Sequence, residues 1–298
     1  MVSPSGSCCS LACGTYEAEI VEVGAGLRRL TNGGYDVVAG YSPTEMASSG
    51  RGQLLLPWPN RIEDGSYRFR GTEHQLSLSE APKRNAIHGL TRWVNWQLRQ
   101  DSADQMRCSY LLHPQPGYPF CLDLSVDYLL SDSGLQVSTS AQNLSGVPAP
   151  YACGAHPYLT VGRRVDRCVF TLPAATRSDV DQRGLPLAPR PVSGGEYDFR
   201  SPRPIGELSF DHPFGELVYV DGTATANLVD PETGRRASVA VDEAYRWLQV
   251  FSGDSLATGA REALAVEPMT SPPNAFRSGV DLVVLGPGER HTASFVLS

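Results

Sequence analysis

The chain has 298 residues, of which 41% are hydrophobic and 19% charged, so it can bury a large core and is not a disordered polymer. Its formal net charge of −7 and its pI near 5.4 argue against a nucleic-acid or anionic-membrane partner, because such partners select basic surfaces. The seven cysteines include no C-x-x-C pair, which excludes the common zinc and thioredoxin-like motifs.

The N-terminal residues carry neither the basic region nor the apolar run of a secretory signal. No stretch of about 18 apolar residues follows that could cross a membrane. We therefore expect a cytoplasmic protein with free thiols. We also expect residues 1–14 to form a flexible segment, and residues 15–298 to form a single domain.

Apolar and polar residues alternate in segment after segment, a pattern typical of half-buried strands. The pattern is clearest over residues 122–130 and 135–141, which a turn at residues 131–134 would join into a hairpin. No capped amphipathic stretch of helical period is present, so we predict an all-β fold. Strands are predicted over residues 16–23, 67–70, 122–130, 135–141 and 245–252, with a closing hairpin of 280–285 and 291–297.

Three polar segments lie among prolines, glycines and apolar residues that would hold their side chains rigid. In the first, Pro57 and Pro59 fix the backbone ahead of Arg61, whose planar fork suits sugar hydroxyls. In the second, His88 lies between an isoleucine and a glycine. Taken alone, Arg61 is better explained as an exposed loop arginine and His88 as a core histidine.

The third segment places His156 in a Gly-Ala-His-Pro-Tyr run, and Glu267 precedes a proline-dense loop much later in the chain. A carboxylate held there can be desolvated, and a desolvated carboxylate is a base with a raised pKa. A salt-bridged glutamate at a strand end is the plainer alternative. The chain contains no H-x-x-x-H pair, nucleophile elbow, phosphate loop or dinucleotide fingerprint, so we expect no metal and no cofactor.

Together these segments resemble the aldose 1-epimerase (galactose mutarotase) family. The resemblance implies an all-β supersandwich of the galactose mutarotase-like type, with a sugar cleft across a curved antiparallel sheet. The segments that carry it, in chain order, are PWPNRIEDGSYRF (57–69), NAIHGL (85–90), GAHPYL (154–159), the Asp of SFDHPF (209–214) and VEPMTSPPNAF (266–276).

The resemblance also implies a role for each matching residue. Glu267 would be the general base that takes the proton of the anomeric hydroxyl, and His156 the general acid that protonates the ring oxygen. His88 would assist by holding the ring or anomeric oxygen. Arg61 and Asp211 would bind sugar hydroxyls.

Three more residues complete the predicted binding set. Asn60 precedes Arg61 as in many family members. Sugar sites favour an aromatic platform beneath the apolar ring face, and Trp58 and Trp93 are the candidates for it.

The expected function is interconversion of the α and β anomers of a free aldose such as glucose or galactose. A hexose-6-phosphate mutarotase is one alternative, with Lys83–Arg84 or Arg163–Arg164 supplying a phosphate pocket. A non-catalytic carbohydrate-binding protein of the same fold is another, although such a protein needs no acid–base pair. The expected partner is a small sugar, and the chain would be a monomer or a homodimer.

Overall fold

The computed structural model describes residues 3–298, in which strands hold 48% of the chain and helices 3%, confirming the all-β prediction. The strands are β1 (Cys8–Cys13), β2 (Tyr16–Val21), β3 (Leu27–Asn32), β4 (Tyr35–Val38), β5 (Leu54–Leu55), β6 (Arg61–Glu63), β7 (Ser66–Phe69), β8 (Thr72–Gln75), β9 (Asn85–Ile87), β10 (Gln97–Gln100), β11 (Gln105–Leu112), β12 (Leu122–Ser131), β13 (Gly134–Asn143), β14 (Ala149–Tyr151), β15 (Gly154–Ala155), β16 (Tyr158–Leu159), β17 (Val169–Thr171), β18 (Ala174–Val180), β19 (Pro186–Pro191), β20 (Arg203–Pro204), β21 (Asp211–Leu217), β22 (Ala224–Val229), β23 (Arg236–Val241), β24 (Trp247–Phe251), β25 (Leu264–Met269), β26 (Val283–Leu285) and β27 (Arg290–Leu297). The helices are two 3₁₀ turns at Ala81–Lys83 and Val165–Arg167 and the short α1 (Ala275–Ser278). None of the helices described is long and apolar enough to cross a membrane.

Two large antiparallel sheets dominate the architecture. The 12-stranded first sheet runs β1-β2-β3-β4-β16-β25-β24-β21-β18-β19, with β5 and β15 attached beside β25. The 9-stranded second sheet runs β10-β11-β12-β13-β27-β23-β22-β17-β20. The pairs β6–β9, β7–β8 and β14–β26 form separate two-stranded ribbons.

The two sheets share one hydrophobic core. Alternate residues of β12, from Leu122 to Leu130, are buried, as the period-two pattern predicted. They join one continuous buried cluster with residues of the first sheet such as Ile20 and Leu30. Tyr128 crosses between the layers, because its hydroxyl donates a 2.6 Å hydrogen bond to the carbonyl of Ala25.

The predicted hairpin of β12 and β13 is confirmed, with paired residues from Leu122–Asn143 to Ser131–Gly134. The predicted closing hairpin is wrong. β26 pairs with β14, whereas β27 lies between β13 and β23. The N–H of Gly288 donates to the carbonyl of Asn143 over 2.8 Å. This bond fixes the turn to the end of β13, so the chain continues along β13 and does not fold back on β26.

The N-terminal segment also differs from its prediction. Residues 8–13, expected to be flexible, form β1 and pair with β2 along all six residues. The burial of Leu11 in the core explains the order of this strand. Met1 and Val2 lie outside the described residues.

The first sheet brings distant residues to one face. Glu267 of β25 lies directly opposite Gln249 of β24, and Asp211 of β21 lies opposite Phe251 of β24. Because residues two apart on a strand share a face, all four project from the same side of the sheet. Tyr158 of β16 is paired with Ala265, two residues before Glu267, and extends this face to the next strand.

Candidate active site

A cleft of about 390 Å³ opens over this face of the first sheet. Its walls come from loops and ribbons that lie far apart in the chain. Seven of the eight predicted site residues line it: Asn60, Arg61, His88, Trp93, His156, Asp211 and Glu267.

The centre of the cleft is a buried carboxylate–imidazole pair. His156 Nε2 lies 3.4 Å from Glu267 Oε1, and the two residues are 5% and 2% exposed. The second oxygen of Glu267 and Nδ1 of His156 are buried without a hydrogen-bond partner among residues 3–298. Buried polar atoms without partners are rare in folded proteins, and a catalytic role is one physical reason for keeping them.

His156 is held between a backbone segment and an aromatic ring. Tyr158 stacks on the imidazole at 4.9 Å with an interplanar angle of 11°. On the cleft side lies Gly50, where a Cβ would come within 2.4 Å of the His156 ring. The segment is tied down by bonds from Gly52 N–H to the His156 carbonyl and from the Tyr158 hydroxyl to the Ser49 carbonyl, both 2.9 Å. The imidazole therefore has one available position.

His88 is fixed by a reciprocal pair of hydrogen bonds with Asn60. The backbone N–H of His88 donates to the Asn60 carbonyl over 2.9 Å, and the N–H of Asn60 donates to His88 Nδ1 over 3.1 Å. Both residues have positive φ, 61° and 53°, a backbone conformation that costs free energy and clusters at functional sites. Because Nδ1 accepts a hydrogen bond, the neutral imidazole carries its proton on Nε2 and can donate it to a ligand.

Arg61 is oriented by a carboxylate behind it. Its Nε and one terminal nitrogen donate to the two oxygens of Glu80 over 2.9 and 3.0 Å, a bidentate fork. Asn85 donates to the same carboxylate over 2.9 Å. Burial opposes the charge on Glu80, but the bonds from Arg61 and Asn85 prevail and lower its pKa. The guanidinium is therefore rigid before any ligand arrives.

Gln249 is a residue of the site that the sequence analysis missed, because it assigned residues 245–252 to a strand and gave Gln249 no role. Its side-chain amide donates to Asp211 over 2.8 Å, and its buried carbonyl oxygen has no partner among the described residues. It lies directly opposite Glu267, so the residue that holds Asp211 is also the cross-strand neighbour of Glu267. A glutamine within the otherwise apolar run of residues 247–251 was the available sequence signal, and its side chain is 2% exposed in the structure.

The two tryptophans predicted as aromatic platforms differ in their exposure to the cleft. Trp93 lines the cleft and is 50% exposed, which suits a sugar-facing surface. The assignment of Trp58 to the cleft is wrong, because its side chain is 2% exposed and packs on Phe276 with ring centroids 5.6 Å apart. Flanking prolines turn this indole into the core beneath the Asn60–Arg61 segment.

Burial dominates the electrostatics of the pair. It raises the pKa of Glu267 well above its usual range, and the nearby charge of Asp211 adds to the rise. It lowers the pKa of His156 to about 3, helped by the positive charges of Arg92 and Arg51. Burial, with a contribution from His156, also holds the pKa of His88 well below 6.5. All three directions follow from the cost of a charge in a dry site.

His88, His156 and Glu267 also bring three potential metal-ligand atoms within 4.8 Å of one another. No local spacing in the sequence predicted this group, because its members come from three separate segments. Imidazole and carboxylate ligands suit ions such as Zn²⁺. The same three side chains form the acid–base group described above.

The two arginine-containing pairs considered for a phosphate pocket have different positions. Lys83 lines the cleft, while Arg84 contacts Asp64 over 3.4 Å. Arg163 and Arg164 line a separate cavity and are engaged with acidic side chains, among them Asp230 at 3.2 Å from Arg163. Only Lys83 of the four remains a candidate for binding a ligand in this cleft.

The site is a carboxylate–imidazole pair beneath an open cleft on an antiparallel sheet. The sequence model of the family described as aldose 1-epimerase matches residues 7–298, and the chain belongs to this family. The fold is that of galactose mutarotase-like proteins.

The chain is also similar to a relative from Escherichia coli and to solved structures that share its fold. The uncharacterized protein YihR of Escherichia coli strain K12 is 40% identical over 98% of this chain and 92% of its own length. The structure of an aldose epimerase homologue from Caenorhabditis elegans has a TM-score of 0.85 at 20% identity, with 98% of each chain covered. A galactose 1-epimerase from Lactobacillus acidophilus has a TM-score of 0.78 at 19% identity, covering 95% of this chain and 91% of its own.

Proposed function

We propose that the protein interconverts the α and β anomers of a free aldose by acid–base opening of the sugar ring. The observation that carries the proposal is the pair of His156 and Glu267, which are buried, 3.4 Å apart, and hold polar atoms without a hydrogen-bond partner among residues 3–298. Family membership supports the reaction class. Glucose and galactose are the first substrates to test.

The reaction needs one base and one acid. Glu267 takes the proton of the O1 hydroxyl while His156 gives a proton to the ring oxygen O5, and the C1–O5 bond breaks. The aldehyde then rotates about C1–C2 and closes on its other face, with both protons returned. Positioned acid and base groups each contribute typically about 10²- to 10⁴-fold to such a rate.

The opposed pKa shifts fit this exchange of protons. The cyclic sugar needs ionised Glu267 and protonated His156, and ring opening leaves Glu267 protonated and His156 neutral. Both forms hold one proton on the pair, so the reaction moves that proton between them. Burial favours the neutral form in the empty cleft, which is the form complementary to the open-chain aldehyde.

The neighbouring groups orient the ring. Arg61, fixed by Glu80, and Asp211, held by Gln249, present a donor fork and an acceptor to sugar hydroxyls. His88 offers its Nε2 proton to the ring or anomeric oxygen, since Nδ1 is engaged by Asn60. The exposed face of Trp93 is suited to packing against the apolar side of a sugar ring.

The decisive experiment follows the mutarotation of freshly dissolved α-D-glucose and α-D-galactose by polarimetry, with glucose 6-phosphate measured in parallel. We expect the wild type to accelerate at least one of them and Glu267→Gln to lower the rate constant by about 10²- to 10⁴-fold. Glu207→Gln, an exposed glutamate outside the cleft, is the matched control and should retain the full rate.

A non-catalytic sugar-binding protein is the competing interpretation. It would bind sugar equally well as wild type and Glu267→Gln and would leave the rate of mutarotation unchanged. That combination of results would contradict the proposed function.

A further inference from the structure

The predicted acid and base occupy directly opposite positions in one antiparallel ladder. Gly154 of β15 is paired with Met269 of β25, and β16 continues the same register along β25. Two residues inward from the Gly154–Met269 pair, this register sets His156 opposite Glu267. The separation of the two side chains therefore depends on how the two strands are held together.

The backbone around this pair has fewer hydrogen bonds between the strands than a regular ladder. His156 directs its N–H to the Gln53 carbonyl over 3.0 Å, and its own carbonyl accepts from Gly52 over 2.9 Å, so its backbone bonds to a third segment. The positions that flank the pair include Pro157 and Pro268, which have no N–H to donate. Each flanking rung therefore lacks one of its two possible hydrogen bonds, and the spacing of the strands depends on the rungs beyond the prolines.

Thr270 uses its side chain to complete the rung beyond the Gly154–Met269 pair. Its N–H donates to the Cys153 carbonyl over 2.9 Å, as in a regular ladder. The Cys153 N–H donates over 3.0 Å to the Thr270 hydroxyl oxygen, where a regular ladder would use the carbonyl. Thr270 is 2% exposed and Cys153 0%, so water does not take the place of the hydroxyl. The hydroxyl is the acceptor that ties the segment leading to His156 onto the end of β25.

A second rung of the same kind lies beside Asp211. The N–H of Ser252 donates to the Phe210 carbonyl over 3.0 Å, and the Phe210 N–H donates to the Ser252 hydroxyl over 2.8 Å. Phe210 and Ser252 directly follow the pair of Asp211 and Phe251 in the register of β21 and β24. Ser252 therefore makes the same bonds on the strands that carry Asp211, and it provides a matched comparison for Thr270.

We propose that Thr270 is a positioning residue whose hydroxyl sets the separation between His156 and Glu267. Without the hydroxyl, the buried Cys153 N–H has no partner, and the cost of such a group favours a shift of the segment that restores a hydrogen bond. A displacement of about 1 Å in a catalytic group is sufficient for a loss of about 100-fold in rate. The catalytic meaning of the separation rests on the proposed function, whereas the separation itself does not.

The kinetic test compares Thr270→Val, which removes the hydroxyl, with Thr270→Ser, which retains it. We expect kcat for mutarotation to fall by about 10- to 100-fold in Thr270→Val while KM changes by less than about twofold, because the acid and the base move and the hydroxyl-binding residues do not. Thr270→Ser should keep kcat within about threefold of the wild type. Both variants lose stability, the first through the hydrogen bond and the second through a buried methyl group, so a merely structural role would not separate their kcat values.

Two further variants serve as comparisons. Ser252→Ala removes the matching hydroxyl beside Asp211, so we expect KM to rise and kcat to fall less than in Thr270→Val. Ser145→Ala removes the hydroxyl that accepts from the Cys121 N–H over 2.7 Å, just before β12 of the second sheet, and should change neither constant. Equal losses of kcat in Thr270→Val and Thr270→Ser, or in Thr270→Val and Ser252→Ala, would overturn the inference.

Crystal structures of the wild type and of both Thr270 variants separate this inference from the proposed function. We expect the distance from His156 Nε2 to Glu267 Oε1, 3.4 Å in the wild type, to change by about 0.5 Å or more in Thr270→Val and to be retained in Thr270→Ser. Thr270→Cys, whose thiol is a weak acceptor, serves if Thr270→Val does not fold, and the distance should change in the same direction. An unchanged distance would overturn the inference whether or not a sugar is turned over. A changed distance, together with a wild type that accelerates no mutarotation, would contradict only the proposed function.

Discussion

At the scale of single residues, the chemical role proposed for Glu267 conflicts with stability. Its carboxyl has a higher pKa in the folded chain than in the unfolded chain, because the site is dry. The Glu267 carboxyl therefore makes its full contribution to the free energy of unfolding below its unfolded pKa of about 4.3. This contribution is lost as pH rises through the folded pKa.

We predict that Glu267→Gln is more stable than the wild type at pH 8, and that this difference shrinks toward zero near pH 4. The glutamine amide does not ionise, so the variant does not lose free energy of unfolding as pH rises, whereas the wild type does. The melting temperatures of both proteins at each pH measure this difference. In somewhat smaller domains the melting temperature changes by about 2–4 °C for each kcal/mol of stability. Glu207→Gln should show no such pH-dependent gain, and equal stability of wild type and Glu267→Gln at pH 8 would refute the burial argument.

Glu80 illustrates a residue that acts on the ligand through another. Its two oxygens accept hydrogen bonds from the guanidinium of Arg61. Glu80→Gln removes one of these acceptors and also the negative charge that aligns the guanidinium. We predict that KM rises about tenfold or more while kcat falls less, because the proposed role of Arg61 is to bind hydroxyls away from the reacting atoms. Steady-state kinetics tests this, with Asp101→Asn in the exposed Arg99–Asp101 pair as a control that should change neither constant.

Seven of the eight residues predicted for the site line the cleft, because acids, bases and rigid prolines are recognisable one by one. The sequence could not predict the residues that hold these side chains in position. Gly50 carries no chemical group, and its contact with His156 exists only after the chain has folded. Gln249 looked like one residue on a strand face, and Trp58 was indistinguishable from Trp93 until the packing of its ring on Phe276 was known.

At the scale of structural elements, the segment before β5 determines the position of the predicted acid. Gly50 has φ of 76°, and a Cβ there would contact His156 at 2.4 Å. We predict that Gly50→Ala lowers kcat by about 100-fold, because a displacement of about 1 Å in a catalytic group is sufficient for such a loss. The mutarotation rate at saturating sugar is the measurement.

Gly71→Ala is a matched control for that substitution. Gly71 has φ of 86°, so alanine strains its backbone similarly, but a Cβ there meets no atom within 4 Å. Both variants should lose stability, and only Gly50→Ala should lose the rate. A similar loss of rate in both would mean that backbone strain, and not the contact with His156, is responsible.

Strand prediction succeeded where the information is local and failed where it is not. The alternation in β12 and β13 is a property of each strand, and the four-residue turn between them leaves little choice of partner. Near the C-terminus the same reasoning paired two adjacent segments that the fold sends to different sheets. The partner of a strand depends on the whole sheet, which no short pattern encodes.

At the scale of the whole molecule, the cleft depends on a sandwich whose second sheet is completed by the last strand. β27 pairs with β13 on one side and β23 on the other, and it buries Ala293, Phe295 and Leu297. β1 is different, because it pairs with β2 alone and buries only Leu11. The two ends of the chain therefore contribute unequally to the fold.

We predict that removing residues 288–298 abolishes the cooperative unfolding transition in urea. The loss removes three core side chains and leaves backbone groups of β13 and β23 without partners, against a net stability of only about 5–15 kcal/mol for typical domains. Removing residues 1–13 should lower the midpoint but preserve a single transition and sugar turnover, since the cleft lies across strands β16, β25, β24 and β21. Circular dichroism and tryptophan fluorescence should report coincident transitions for this variant and for the full chain. A cooperative transition in the chain without β27 would show that the first sheet is stable alone, and the dependence of the cleft on the second sheet would be refuted.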